Sequence, residues 1–157
     1  MANRWEKTLW KPGAKSNNDD CGTPQDFFDK LNSEFHFTLD ACANRDNYKV
    51  ARYFSTDGSG IAEDGLLQDW AGETVWVNPP YSKIKLWMKK CFEESLKPYT
   101  TVVALTFART DTEWFWAYVV GNAEIRFVKG RLKFTGDGNK WASPAPSIVI
   151  VWKRKKE

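Results

Sequence analysis

The sequence predicts a small three-layer α/β domain on a mostly parallel sheet with an antiparallel closing strand, and three features lead there. Residues 101–107, Thr-Val-Val-Ala-Leu-Thr-Phe, form a nearly continuous apolar run, the pattern of a strand covered on both faces, as parallel strands are. Segments of strand character alternate with segments whose apolar residues recur at helical spacing, as expected of helices laid against a sheet. The chain has 157 residues, the length of one domain, enough to bury roughly two thirds of its unfolded surface.

An apolar share of 42% and a charged share of 27% are ordinary for a globular protein. No apolar run approaches the ~18 residues of a membrane span. Residues 1–11 carry charges and no apolar stretch of the kind a signal peptide needs. Cys21, Cys42 and Cys91 lie far apart, and His36 is the single histidine, so neither a disulfide framework nor a metal site is expected. A reducing cytoplasm is the expected compartment. The net charge of +3 leans only slightly towards nucleic acid, and the placement of the basic residues matters more than their sum. Of nine tryptophans, most are expected in the core, with some left to stack on bases.

Residues 1–22 mix Lys, Asn, Asp, Gly and Pro without a period and read as a flexible N-terminal arm. Thr23-Pro24-Gln25-Asp26 starts a helix, with Thr23 as N-cap, Pro24 in the first helical position and Asp26 returning a bond. Phe27, Phe28 and Leu31 supply its apolar stripe. Residues 35–40 alternate apolar and polar and predict a strand with the Asp40 carboxylate at its C-terminal tip. His36 falls on the polar phase, at the surface. Ala41-Cys42-Ala43-Asn44 are small and let a ligand approach the backbone. Residues 45–60 are irregular, anchored by Tyr53 and Phe54. Residues 61–70 bring Glu63, Asp64 and Asp69 around Leu66 and Leu67.

Residues 75–77 are a short strand that Pro79 must end, because proline cannot donate to a sheet ladder. Ile84, Trp87, Met88, Cys91 and Phe92 then mark an amphipathic helix whose other face is Lys and Glu. Thr110-Asp111-Thr112-Glu113 has a capping-box pattern and opens a helix carrying Trp114, Phe115, Tyr118 and Val119. Residues 123–134 and 147–152 read as two closing strands paired antiparallel at one edge, with a polar loop over residues 136–146. The domain is expected to span residues 23–152, followed by a basic tail at 153–157.

Ligands in such sheets bind beyond the carboxyl ends of the strands, where Asp40, Asn78 and the Ala108-Arg109 turn all fall. Pro79 holds Asn78 extended, and Pro80 does the same to Pro79. The stiff corner offers the Asn78 amide oxygen and the Pro79 carbonyl as acceptors, followed by the Tyr81 ring. Two acceptors beside a ring suit an exocyclic amine on a flat group: adenine N6, cytosine N4 and a primary amide all fit.

Taken together, the segments from Thr23 to Trp152 resemble the small, phage-type (Dam-like) DNA N6-adenine methyltransferases, which use S-adenosylmethionine. The likeness is carried by Thr23-Pro24, Phe37-Thr38-Leu39-Asp40, Asp64-Gly65-Leu66 with Asp69-Trp70, and Asn78-Pro79-Pro80-Tyr81. It continues through Ala108-Arg109-Thr110-Asp111-Thr112 with Trp114-Phe115, and Gly130-Arg131-Leu132-Lys133-Phe134. It implies a Rossmann-like methyltransferase fold, with Asn78, Pro79, Pro80 and Tyr81 as the catalytic corner acting on an adenine extruded from DNA. It also implies a cofactor held by Thr23, Pro24, Asp40, Ala41, Asp64, Leu66, Asp69 and Asn78, with Asp64 or Asp69 meeting its adenine. DNA contact would fall to Tyr81, Arg109, Trp114, Arg131 and Lys133, with Lys129 and Lys140 as further candidates. The chain departs from broader methyltransferases in having Ala41-Cys42-Ala43-Asn44 where a glycine-rich turn is usual. Two other functions fit the same corner: a protein-glutamine N-methyltransferase, and an inactive DNA-binding module of the same fold.

Overall fold

The computed structural model describes residues 22–136 and 139–154. In chain order these form α1 (Gln25–Phe35), β1 (Leu39–Asp40), β2 (Thr74–Val77), α2 (Ile84–Ser95), β3 (Thr101–Phe107), a π-helix (Phe115–Val119), β4 (Glu124–Phe127), β5 (Lys133–Gly136), β6 (Asn139–Ala142) and β7 (Ser147–Lys153). One sheet has the order β1-β2-β3-β7-β4, and β5 and β6 form a separate hairpin. β1, β2 and β3 pair in parallel, while β7 is antiparallel to both β3 and β4. Four strands therefore share one direction and β7 alone opposes them. The two closing strands were expected to pair antiparallel at one edge, and β4 and β7 do so, with β7 the inner of the two. Among the described residues no helix is long and apolar enough to cross a membrane.

Alternation along the strands sorts the core onto two faces. Val75, Val77, Val102, Ala104, Ile148, Ile150 and Trp152 pack with Trp87, Met88 and Cys91 of α2 and with Phe115 and Val119 of the π-helix. Trp76, Val103, Leu105, Phe107, Val149 and Val151 pack with Phe28 of α1 and Phe134 of β5. Helices on one face, and a helix plus a hairpin on the other, make the three layers the sequence predicts. Each large apolar side chain buried this way contributes about 1.5–3 kcal/mol against conformational entropy.

Local departures have local causes. The N-cap of α1 is Pro24, without a side-chain cap, because the Thr23 hydroxyl is engaged elsewhere. The strand expected over residues 35–40 contracts to Leu39–Asp40: Phe35 ends α1, and His36 adopts a left-handed φ of 54° and donates its N–H to the Asn32 carbonyl. The Asn32 side chain takes the next N–H, from Phe37, so the turn completes before the sheet begins. No capping box forms at residues 110–113; the Thr112 hydroxyl donates to the Arg109 carbonyl instead, and the segment winds with π spacing, Val120 N–H reaching the Phe115 carbonyl. Residues 123–134 divide. Glu124–Phe127 pairs with β7, and Lys133–Gly136 leaves the sheet to pair with Asn139–Ala142, where a polar loop was expected. Gly130, with φ of 76°, lies at the division, a conformation that favours glycine. Most of the expected arm, residues 1–21, and the last three residues of the expected tail lie outside the described residues.

Candidate active site

Asp40 closes β1 and is 2% exposed. Its carboxylate accepts the backbone N–H of Cys42 at 3.3 Å and of Lys49 at 3.0 Å. Burial pushes its pKa up to about 7, against the lowering effect of those two hydrogen bonds and of the Lys49 charge. The irregular stretch after β1 is what supplies the second N–H. It returns along the strand, with Asp40 N–H donating to the Arg52 carbonyl and Phe54 N–H to the Asp40 carbonyl. Tyr48 stacks on Tyr53 at 4.7 Å beside this turn.

Above this edge lies a cavity of 330 Å³ whose walls include Thr23, Asp40, Lys49, Trp76, Asn78, Pro79 and Pro80. Asn78 follows the last residue of β2, and its Nδ2 donates to the Thr23 hydroxyl at 2.9 Å. A second cavity of 240 Å³ is lined by Ala41, Phe54, Asp64, Gly65, Leu66 and Trp87. Cys42, Ala43, Ser55, Thr56 and Pro80 line both, so the two form one trough. Asp64 caps the short turn Gly65–Leu67 by accepting the Leu66 N–H at 3.0 Å. A Cβ on Gly65 would run into the Ala41 carbonyl and lie 3.1 Å from the Trp87 ring, so glycine alone fits this close approach. The Trp87 indole N–H is buried with no hydrogen-bond partner among the described residues.

On the far side of Asn78 and Pro79, a small pocket of 20 Å³ is lined by Tyr81, Ile84, Thr106, Phe107 and Phe134. The Tyr81 ring lies 5.0 Å from that of Phe107, and burial raises the Tyr81 pKa despite the nearby Arg109 charge. The Thr106 hydroxyl on this wall is buried without a partner among the described residues. A fourth space, a groove of 670 Å³, runs between α1 and the β5–β6 hairpin, and Lys30, Lys49, Arg131, Lys133 and Lys140 line it with Thr23 and Pro24. Thr23 and Lys49 belong to both the groove and the 330 Å³ cavity.

The sequence-predicted residues thus divide. Thr23, Asp40, Asn78, Pro79 and Pro80 converge on one cavity, Ala41, Asp64 and Leu66 on its extension, and Pro24, Arg131, Lys133 and Lys140 on the groove. Asp69 is exposed and lines none of these spaces, its carboxylate held by Lys97 at 2.8 Å. Trp114 is 5% exposed within the core on the α2 face, against Phe115 at 5.9 Å, and does not reach the site. Lys129 is exposed outside the groove. Lys30, Lys49, Trp87 and Thr106 were missed. Lys30 and Trp87 carried no signal beyond a helix face, and the return of residues 45–57 onto Asp40 is a tertiary contact that no local pattern announces.

The family model described as DNA N-6-adenine-methyltransferase (Dam) matches residues 12–157. The chain is 31% identical over 152 residues to the DNA N-6-adenine-methyltransferase of Haemophilus phage HP1 (strain HP1c1), covering 90% of this chain and 82% of that protein. It is 29% identical over 123 residues to the DNA N-6-adenine-methyltransferase of Escherichia phage T1, covering 76% of this chain and 49% of that longer protein.

Proposed function

This chain belongs to the Dam family of DNA N-6-adenine-methyltransferases, adenine-specific enzymes that act on DNA, and from that premise we propose that it methylates an adenine extruded from the helix, with S-adenosylmethionine as donor. The observation that carries this is the position of Asn78 and Pro79, which line both the cavity containing Asp40 and the small pocket of Tyr81. A donor on one side and a base on the other would meet at that corner.

The residues present suit the cofactor. The trough is long, its narrow part is cradled by Gly65 where a Cβ would not fit, and the larger cavity alone falls within the usual size of ligand sites. Asp40 offers buried negative charge for an ammonium group, Thr23 and Pro24 flank the carboxylate end, and Ala41 lets the ligand lie close to the backbone. Asp64 and Leu66 take the adenine end. S-adenosylmethionine, when bound, supplies a methyl group on positively charged sulfur.

The chain's own part is to hold the amine. An adenine must leave the stack for N6 to reach the corner, and Tyr81 then stacks on its face. The Asn78 amide oxygen and the Pro79 carbonyl accept the two N6 hydrogens, which leaves the nitrogen lone pair turned towards the cavity. Both acceptors are fixed before the base arrives, and they meet the positive charge that grows on nitrogen without reorganising. Arg109 sits beside Tyr81 at the entry, and Lys30, Lys49, Arg131, Lys133 and Lys140 take the phosphates of the flanking strand along the groove.

Incubation with methyl-labelled S-adenosylmethionine and unmethylated DNA, followed by nucleoside analysis, tests this directly. Label in N6-methyldeoxyadenosine is the expected result. Label in a methylated cytosine, or in the glutamine of an added peptide and none in DNA, overturns it.

A further inference from the structure

We propose that Thr106 is a base-binding residue whose hydroxyl donates to a ring nitrogen beside the amine of the extruded adenine. The inference rests on the function proposed above and adds to it a contact with the ring, where the corner at Asn78 and Pro79 holds the amine. Thr106 is the last residue but one of β3 and is 5% exposed. Its backbone belongs to the ladder with β7, opposite Ile148, but its hydroxyl is buried with no partner among the described residues. Residues 102–105 before it are Val-Val-Ala-Leu and Phe107 follows, so a valine would suit this place in the strand. A buried hydroxyl without a hydrogen bond costs stability, and in a native protein it calls for an explanation.

Position supplies one. Thr106 lines the 20 Å³ pocket together with Asn78, Pro79 and Tyr81. The Trp87 indole and the Ser147 hydroxyl are likewise buried without partners among the described residues. Trp87 lines the trough, and Ser147 lines none of the cavities described above. Of the three, Thr106 alone shares a pocket with Asn78 and Tyr81. The amine of adenine has N1 on one side and N7 on the other, and both accept hydrogen bonds. These are the ring nitrogens nearest the amine, so a donor on the wall beside the corner is placed to reach one of them. A threonine hydroxyl has one hydrogen to give. A purine needs more room than 20 Å³, so the two meet only once the pocket has opened. The fold has already stripped water from the hydroxyl, and its bond to the base therefore comes without that cost at the moment of binding.

A duplex with one adenine that wild type methylates tests this when 1-deazaadenine or 7-deazaadenine takes the place of that adenine. Each analogue keeps the amine and replaces one ring nitrogen by C–H. Wild type is expected to lose about tenfold in kcat/KM on one of the two, the scale of one hydrogen bond. Thr106→Val is expected to lose about tenfold on adenine and nothing further on that same analogue, because both changes remove one contact. Thr106→Ser keeps the donor and is expected to stay within about threefold of wild type on adenine. The urea midpoint of Thr106→Val is expected to equal or exceed that of wild type, since the variant no longer buries an unpaired hydroxyl. Wild type indifferent to both analogues, losses that add in Thr106→Val, a Thr106→Ser enzyme as slow as Thr106→Val, or a lowered midpoint overturns the inference. The wild-type arm decides alone if Thr106→Val does not fold. Wild type that methylates no adenine in DNA would instead overturn the function proposed above, so the two failures are distinguishable.

Discussion

The guanidinium of Arg109 lies over the Tyr81 ring, 5.9 Å from its centroid, while the Phe107 ring meets Tyr81 at 5.0 Å. The pocket beside Asn78 measures 20 Å³ in this state, too small for a purine, so Tyr81 must move for a base to enter. Tyr81→Ala is expected to lower kcat/KM for DNA by about ten- to a hundredfold, as base–aromatic stacking is worth about 1–3 kcal/mol. Tyr81→Phe keeps the face and is expected to stay near wild type in the same steady-state assay. Equal activity of the alanine variant would remove the stacking role.

Asn78→Ala is expected to reduce methyl transfer by about a hundredfold or more, the scale of removing one preorganised partner of a developing charge. DNA affinity, measured by anisotropy at equilibrium, is expected to change far less, because the phosphate contacts are untouched. A variant that turns over normally would dissociate the corner from the chemistry.

Burial raises the Asp40 pKa to about 7 in the fold, against about 3.9 in an unfolded chain. Its contribution to stability is thus full below about pH 4, falls as pH rises towards about 7 and is constant above, since the folded state alone holds the proton in that window. A bound cation favours the ionised form. The affinity for S-adenosylmethionine is accordingly expected to rise up to about tenfold per pH unit below about pH 7 and to level off above it. Calorimetric titration between pH 5 and 9 checks this, and a flat profile contradicts it.

Glu94 on α2 is buried and receives Lys90, Lys97 and the backbone N–H of Trp70. Desolvation pushes its carboxyl up, but these partners outweigh it and hold the pKa below the ordinary range. The support Glu94 gives is present above about pH 4.5 and is lost as pH falls through its lowered folded value. Glu94→Ala is expected to cost about 1–3 kcal/mol, because it leaves the buried N–H of Trp70 without its acceptor, read as a lower urea midpoint. The same ties hold the segment leading from Asp64 to Trp70, so this variant is also expected to bind S-adenosylmethionine less tightly.

Lys30, Arg131, Lys133 and Lys140 line one groove. Replacing each by alanine is expected to weaken DNA binding to a similar degree across sequences and to reduce the slope of log affinity against log salt by about 0.9 per lost phosphate contact. An unchanged slope for all four would place the DNA elsewhere.

The parts of the site visible in the sequence are those fixed within a few residues. Pro79 stops β2 just before Asn78 whatever surrounds it, the apolar spacing of α2 survives from sequence to structure, and Asp40 does stand at a strand tip. What was hidden depends on partners far along the chain. Thr23 has the composition of a helix cap, but Asn78 competes for its hydroxyl. Trp114 lies on an aromatic helix face, and composition does not say whether such a face meets DNA or the core. The β5–β6 hairpin is polar and short, and its pairing depends on the turn near Gly130. Asp64 and Asp69 were equivalent as residue types; the trough beside Gly65 is lined by Asp64 and not by Asp69.

The place of β7 between β3 and β4 bears on how the molecule is made. During synthesis on the ribosome, β3 and β4 emerge without the strand that joins them, and each waits with a bare edge until residues 147–153 appear. A nascent chain halted at residue 146 would carry those unpaired strand edges, which invite association with other chains. The final strand therefore acts as the keystone of the sheet, and cooperative folding is expected only after its translation.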